Sequence, residues 1–216
     1  SESDYFNTAT ELELFSNPFY NDLLDKSPFD EQSDVIVNAI LNEIMIGGNR
    51  RTVPASGGGW SWGTLRRINT LLENVDRSND QEAIIKYSAV ARFFRAYFYF
   101  DKVQRFGDVP WYDMQLNSTD EELYKPRDSR EFILTKMIED IDYAINNLPA
   151  EKSVYRVNRW SALALKSRFT LFEGTYRKYH NLQLEGNDYN YYLNLAAASA
   201  LEIIEDGPYS IHSTGN

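Results

Sequence analysis

The chain of 216 residues contains no cysteine, which excludes disulfides, thiolate metal sites and thiol nucleophiles. Histidine is almost as scarce. His180 and His212 both fall near apparent helix or chain ends, leaving little material for histidine-based triads or polyhistidine metal sites. No apolar run approaches the roughly 20 residues needed to cross a bilayer as a helix. The first residues, SESDYFNTATELELF, lack the basic and apolar regions of a signal peptide, so an export signal was either removed or never used. Positive charge is also in short supply: 22 basic against 32 acidic side chains leave a net charge of −10. The summed field repels phosphate backbones and anionic headgroups, so nucleic acid is not an expected partner. GGGW is not followed by the lysine of a phosphate-cradling loop, and no cofactor is expected.

What the chain has in excess is aromatic surface. Fifteen Tyr, twelve Phe and four Trp either fill wide gaps between helices or stack on ligands. A chain of this length buries roughly 70% of its extended surface, enough for one sizeable core and one domain. The densest aromatic stretch is Ala89 to Pro110, AVARFFRAYFYFDKVQRFGDVP, with six aromatics between Phe93 and Phe100. Ala89, Ala96 and Val103 extend the apolar set at three- and four-residue steps, which predicts a helix buried on more than one face. Gly107 suits a left-handed terminal position and Pro110 cannot continue a helix. Arg92 and Arg95, one turn apart, are placed to pair with a carboxylate or carbonyl of a neighbouring helix.

Elsewhere the pattern is again helical. Thr8-Ala9-Thr10-Glu11 has capping-box spacing ahead of Leu12, Leu14, Phe15, Phe19 and Leu23, predicting a first helix from near Thr8 with Pro18 as a candidate breakpoint. Residues 25–34 are turn-rich, and Val35–Ile46 reads as helix in preference to strand. Thr64–Val75, with Leu65, Ile68, Leu72 and Val75 on one stripe, pairs with the aromatic helix, which starts near Asp80 or Gln81. A second pair follows. Ser129–Asn147 carries Ile133, Met137, Ile141, Ala144 and Leu148 on one face, and Asn158–His180 offers Ala162, Ala164, Ser167 and Gly174 for close contact, with Trp160, Leu163, Phe169, Leu171 and Phe172 as filling. Asp188–Asp206, stopped by Gly207-Pro208, is expected to open a third pair whose return helix would have to lie beyond Asn216, so that part of its apolar face would lack cover. Helix pairs recurring at this spacing suggest a tetratricopeptide-like stack, but the strict 34-residue signature is absent, so the pattern alone gives an all-α fold of helical hairpins with long irregular loops.

The longest irregular stretch, residues 47–63 (GGNRRTVPASGGGWSWG), is the first place to look for a ligand site, because loops on a rigid scaffold carry binding residues disproportionately. Trp60 or Trp62 offers a stacking plane to a sugar face, with Arg50 and Arg51 as hydrogen-bonding neighbours; alternatively one Trp closes the core at the foot of the following helix. Asn69 could present its amide to a ligand, or cap a neighbouring backbone group. Trp111 and Tyr112 in GDVPWY read as packing, as do Tyr189, Tyr191 and Tyr192 on one face of a helix. Paired carboxylates for glycoside hydrolysis would have to come from Glu121 and Glu122 or from Glu139, Asp140 and Asp142. Both acidic groups read as solvated faces, and Asp76–Glu82 lacks the central glycine and distal glutamate of a calcium loop, so Asp80 is better read as a helix cap. No enzyme is indicated.

The run AVARFFRAYFYFDKVQRFGDVP resembles the segment "A..FLRA..YF.LV..FG.VP" of SusD/RagB-like nutrient-binding lipoproteins of Bacteroidetes outer membranes. The likeness continues in the acidic helix ending at Leu148-Pro149, in RWSALALKSRFTLFEGT (Arg159–Thr175) and in AAASALEIIEDGPY (Ala196–Tyr209). It implies that residues 1–216 form a single SusD-like helical domain, the N-terminal portion of a longer chain. It also implies a cell-surface protein of the outer membrane that captures an oligosaccharide or polysaccharide and delivers it to a SusC-like TonB-dependent transporter. Such proteins meet the membrane through a lipid on an N-terminal cysteine, which this sequence lacks. A helical-repeat adaptor for a protein or peptide is the alternative, though an adaptor has no need of the Gly-rich aromatic loop; a family member that captures peptides stays open too.

Overall fold

The computed structural model describes residues 5–24, 57–182, 184 and 186–211. These fold into six α-helices: α1 (Ala9–Leu23), α2 (Gly63–Asn74), α3 (Gln81–Phe106), α4 (Arg130–Asn147), α5 (Arg159–Tyr179) and α6 (Tyr189–Asp206). Among the described residues there is no strand, only an isolated antiparallel bridge between Val109 and Asp128. The all-α expectation holds, while the helix predicted over Val35–Ile46 lies outside the described residues.

Local chemistry sets the helix starts. The side chains of Thr8, Asp80, Ser129, Asn158 and Asp188 each accept a first-turn backbone N–H, and Thr8 completes its capping box with Glu11. Helix α1 does not break at Pro18 but runs on to Leu23. The helical hydrogen bond lost at Pro18 is offset by Phe19, which is fully buried and meets Phe94 edge-on with ring centroids 5.8 Å apart. Helix α3 ends as expected, with Gly107 at φ +72°, although its ψ of −117° lies outside the left-handed helical well.

Helix α3 is the axis of the domain. Phe98, Tyr99 and Phe100 are consecutive and so point about 100° apart, yet all three are buried. Helices α1 and α2 cover one side of it and α4 another; α5 packs on α4, and α6 lies along α5 in the most extensive pairing of the chain. Helix α6 is therefore partnered on one side, while Leu201 (51% exposed) and Ile204 (77%) leave its other side open. The α5–α6 approach requires Gly174, where a Cβ would stand 2.8 Å from Leu193 and 3.0 Å from the Tyr189 carbonyl. Ser167 serves the same interface by donating to the Ala196 carbonyl at 2.9 Å. Ala164 and Leu171, predicted to pack, face outward instead, because α5 buries only the side turned to α4 and α6.

Two buried ionic clusters cross these interfaces. The Arg95 guanidinium of α3 grips Asp140 of α4 through Nε (2.6 Å) and Nη2 (2.8 Å), with Arg92 at 3.5 Å from the same carboxylate. Burial works against the Arg95 charge, but the hydrogen bonds and attraction of Asp140 outweigh it and hold its pKa above the ordinary value. Farther along, Glu173 of α5 accepts from Arg130 (2.8 Å) and Arg177 (2.7 Å), and Arg177 also meets Glu131 at 2.6 Å. The expectation that Glu139, Asp140 and Asp142 form a solvated acidic face is thus corrected. Asp140 flanks the Met137–Ile141 stripe and is turned inward at 2% exposed, whereas Glu139 and Asp142 meet Lys136 and Lys166 near the surface. Asp140→Ala is expected to cost about 3–5 kcal/mol by leaving Arg95 buried without its counter-ion. Glu139→Ala should change stability by less than about 0.5 kcal/mol. Urea unfolding midpoints of the two variants measure the contrast.

Candidate functional site

Beyond Gly107 the chain doubles back across α2 and α3, and buried polar groups pin it there. The Tyr99 hydroxyl donates to the Pro110 carbonyl at 3.2 Å and accepts from the Tyr112 amide at 2.6 Å. Burial, only partly opposed by that amide and by Arg95, pushes the Tyr99 phenol well above its usual range, so it remains a neutral donor. Trp111 stacks on the Tyr99 ring with centroids 4.3 Å apart. Asn69, on α2, donates to the carbonyls of Tyr112 and Met114 at 3.0 Å each, and its own oxygen accepts from Arg95 at 3.3 Å.

A second irregular segment approaches from the other side. Gly57, Gly58 and Gly59 all have positive φ (79°, 63° and 85°), a run that side chains other than glycine rarely tolerate. At Gly59 a Cβ would also stand 2.9 Å from Arg105 Nε. The turn is anchored by Lys102, which donates to the Gly59 carbonyl at 2.8 Å. It delivers Trp60 edge-on to Phe106 (4.8 Å) and to Trp62 (5.1 Å), and Trp62 in turn packs against Phe98 and Tyr112.

Between these segments lies a hollow of about 500 Å³, within the range of small-ligand sites. Trp60, Trp62 and Tyr112 form its aromatic wall, Leu65 and Asn69 line it from α2, and Met114 and Leu123 add apolar surface opposite. Its charged side chains are Arg66, Lys125 and Arg127. The described residues lining it include no carboxylate and no histidine. The hollow therefore offers stacking planes and hydrogen-bond donors. Among the described residues no group of three or more His, Cys, Asp or Glu side chains is arranged to hold a metal ion.

The predicted site residues separate. Trp60 stands at the hollow, 41% exposed, while Trp62 is half-buried at the foot of α2 and closes the core there. The two differ in burial, although both line the hollow. Asn69 reaches the hollow, but at 1% exposed its amide is committed to the protein's own carbonyls and to Arg95, so it shapes the site. Arg50 and Arg51 lie outside the described residues. Trp111 packs as expected; Tyr112, also read as packing, faces the hollow. Arg66 was legible in principle, since it is four residues from Trp62 and three from Asn69 on one helix face. Lys125 and Arg127 come from an irregular stretch sixty residues away, and no local pattern announces them.

Removal of the Asn69 amide strands two carbonyls and one guanidinium hydrogen bond. Asn69→Ala should therefore cost about 1–3 kcal/mol, whereas Trp60→Ala, at a partly exposed position, should leave the thermal midpoint nearly unchanged. Parallel calorimetric melts of the two variants check this division of labour.

The hollow falls within residues 60–171 and its margins, the span that matches the SusD-like_3 family model, described as starch-binding associating with outer membrane. A curated relative, a SusD-like protein of Formosa agariphila, is 30% identical over 91 residues, covering 42% of this chain and 18% of that protein. A SusD homologue from Bacteroides thetaiotaomicron superposes with a TM-score of 0.71 over 98% of this chain and 43% of its own, at 20% identity. A laminarin-binding SusD-like protein gives a TM-score of 0.54 over 70% of this chain and 30% of its own, at 23% identity. At such identities these two solved structures establish a shared fold. The chain spans 18% of the length of that curated relative and under half of each solved chain.

Proposed function

The chain belongs to the SusD-like family, and from that premise we propose that it captures a glycan at the cell surface, with the aromatic hollow as its contact. The observation that carries this reading is the exposed Trp60 ring in a 500 Å³ hollow with Tyr112 and Trp62. The apolar C–H face of a sugar ring stacks on such a plane, while its hydroxyls need the donors that Arg66, Lys125 and Arg127 supply. Hollow and scaffold are coupled through Asn69 and Tyr99, so the stacking planes are preorganised before ligand arrives. Stacking and hydrogen bonding suit capture, and the described lining residues include no pair of carboxylates of the kind glycoside hydrolysis uses.

In this reading the protein is held at the outer membrane by a lipid and passes its ligand to a SusC-like TonB-dependent transporter, with the helical body as the rigid docking element. The family description and the laminarin-binding neighbour support a carbohydrate ligand. Arg50 and Arg51 belong to the proposed ligand contacts by their proximity in sequence to Trp60.

Isothermal titration against plant, microbial and host oligosaccharides is expected to give saturable heat with one sugar class. Trp60→Ala should then weaken that binding by about 1 kcal/mol or more, on the scale of an aromatic contact, with an unchanged melting midpoint. Unaltered affinity in the folded variant would overturn the assignment of the hollow.

A further inference from the structure

We propose that the hollow selects glycans bearing carboxylate or sulfate groups over neutral ones; this rests on the reading of the hollow as the glycan site and names the class it prefers. The protein as a whole carries 32 acidic side chains against 22 basic, yet among the described residues the charged side chains lining this place are Arg66, Lys125 and Arg127. Glu122 and Asp128 act on Tyr112 from just beyond the lining and are met by Lys125, so the positive charge left over at the rim is that of Arg66 and Arg127, and it favours an anion there.

Two of the three cations have no carboxylate partner among the described residues. Arg66 is exposed on α2, and the exposed Arg127 donates only to the carbonyls of Phe106 (3.4 Å) and Asp108 (3.3 Å), which leave its charge intact. Lys125 differs: it donates to the Trp111 carbonyl and stands 3.2 Å from Asp128, so its charge is locally balanced. The selectivity is therefore assigned to Arg66 and Arg127.

Hydrogen-bond complementarity points the same way. Arginine has five N–H donors and no acceptor, lysine has three donors and no acceptor, and the Trp indole only donates. The side-chain oxygen of Asn69 already accepts from Arg95. A neutral sugar hydroxyl can accept from these donors, but among the described lining residues its own proton meets few side-chain acceptors, the Tyr112 hydroxyl being one. A carboxylate or sulfate brings acceptors only, and a guanidinium meets it in a paired geometry. The charge is also presented with the stacking plane, because the Arg127 guanidinium lies 5.0 Å from the Trp60 ring centroid and Lys125 Nζ 5.1 Å from that of Tyr112. An acidic sugar on this wall has its ring and its charge met together.

Affinity electrophoresis of the protein in gels containing polygalacturonate, alginate, a sulfated galactan, laminarin or starch tests this. Retardation at least tenfold stronger in one of the acidic gels than in either neutral gel is expected, and added salt should weaken it. In the Arg66→Gln/Arg127→Gln double variant the acidic preference should fall at least tenfold. The Arg67→Gln/Arg156→Gln variant should leave it unchanged, since Arg67 pairs with Asp22 and Arg156 with Glu13 and neither lines the hollow, and it matches the loss of two positive charges. Equal or stronger retardation by a neutral glucan overturns the selectivity while leaving glycan capture standing. Retardation by none of the five overturns both, and an equal loss in the Arg67→Gln/Arg156→Gln variant overturns the assignment to the hollow.

Discussion

One guanidinium organises this domain. Arg95 holds the Asp140 carboxylate at 2.6 and 2.8 Å, donates to the Asn69 side chain at 3.3 Å and lies 5.1 Å from the centre of the Trp111 ring. Through these contacts α3 is tied to α4, to α2 and to the returning segment at once. A buried ion pair adds little net stability against a well-packed apolar alternative, because both charges give up their hydration. What it supplies is complementarity: the bidentate pair is made in the observed register of α4 on α3, and Asn69, held by Arg95, meets the carbonyls of Tyr112 and Met114 along the observed path. The second cluster, centred on Glu173 between Arg130 and Arg177, does the same for α4, α5 and the start of α6.

The aromatic excess is divided between support and display. Phe94, Tyr99, Trp111 and Phe169 are buried and fill the wide spaces between helices. Trp60 and Tyr112 sit at the edge of that same packing, in ring contact with Trp62, which itself touches Phe98 of the core. The display surface is thus the outer layer of a continuous aromatic cluster. Rigid planes of this kind lose little side-chain freedom on meeting a ligand.

Much of this was readable from residues in order. Helix starts were legible because Thr8, Asp80, Ser129, Asn158 and Asp188 act through hydrogen bonds within three residues, and the burial of α3 was legible because six aromatics cannot share one face. Pro18 misled because its local cost is overridden by Phe19, whose burial is decided by a helix seventy residues on. Asp140 misled for the same reason: its partner lies 45 residues upstream, and nothing beside it in the chain distinguishes it from Glu139. At the hollow, Trp60 and Trp62 stood out by type and by their glycines. Which of them is displayed was settled by Phe98 and Phe106, and the cations opposite them are joined only by tertiary folding.

The hollow has no local existence. Its walls come from the glycine turn, from one face of α2 and from residues 110–127, joined by contacts such as Lys102 to Gly59 and Asn69 to Met114 that span 43 and 45 residues. Such long-range closures come at a cost in chain entropy that short-range helix formation does not carry. The hollow accordingly exists only once α2, α3 and the returning segment are docked on one another. Its occupancy is therefore a report on the integrity of the whole domain, and any molecule that fills it draws the folding equilibrium toward the native state by mass action.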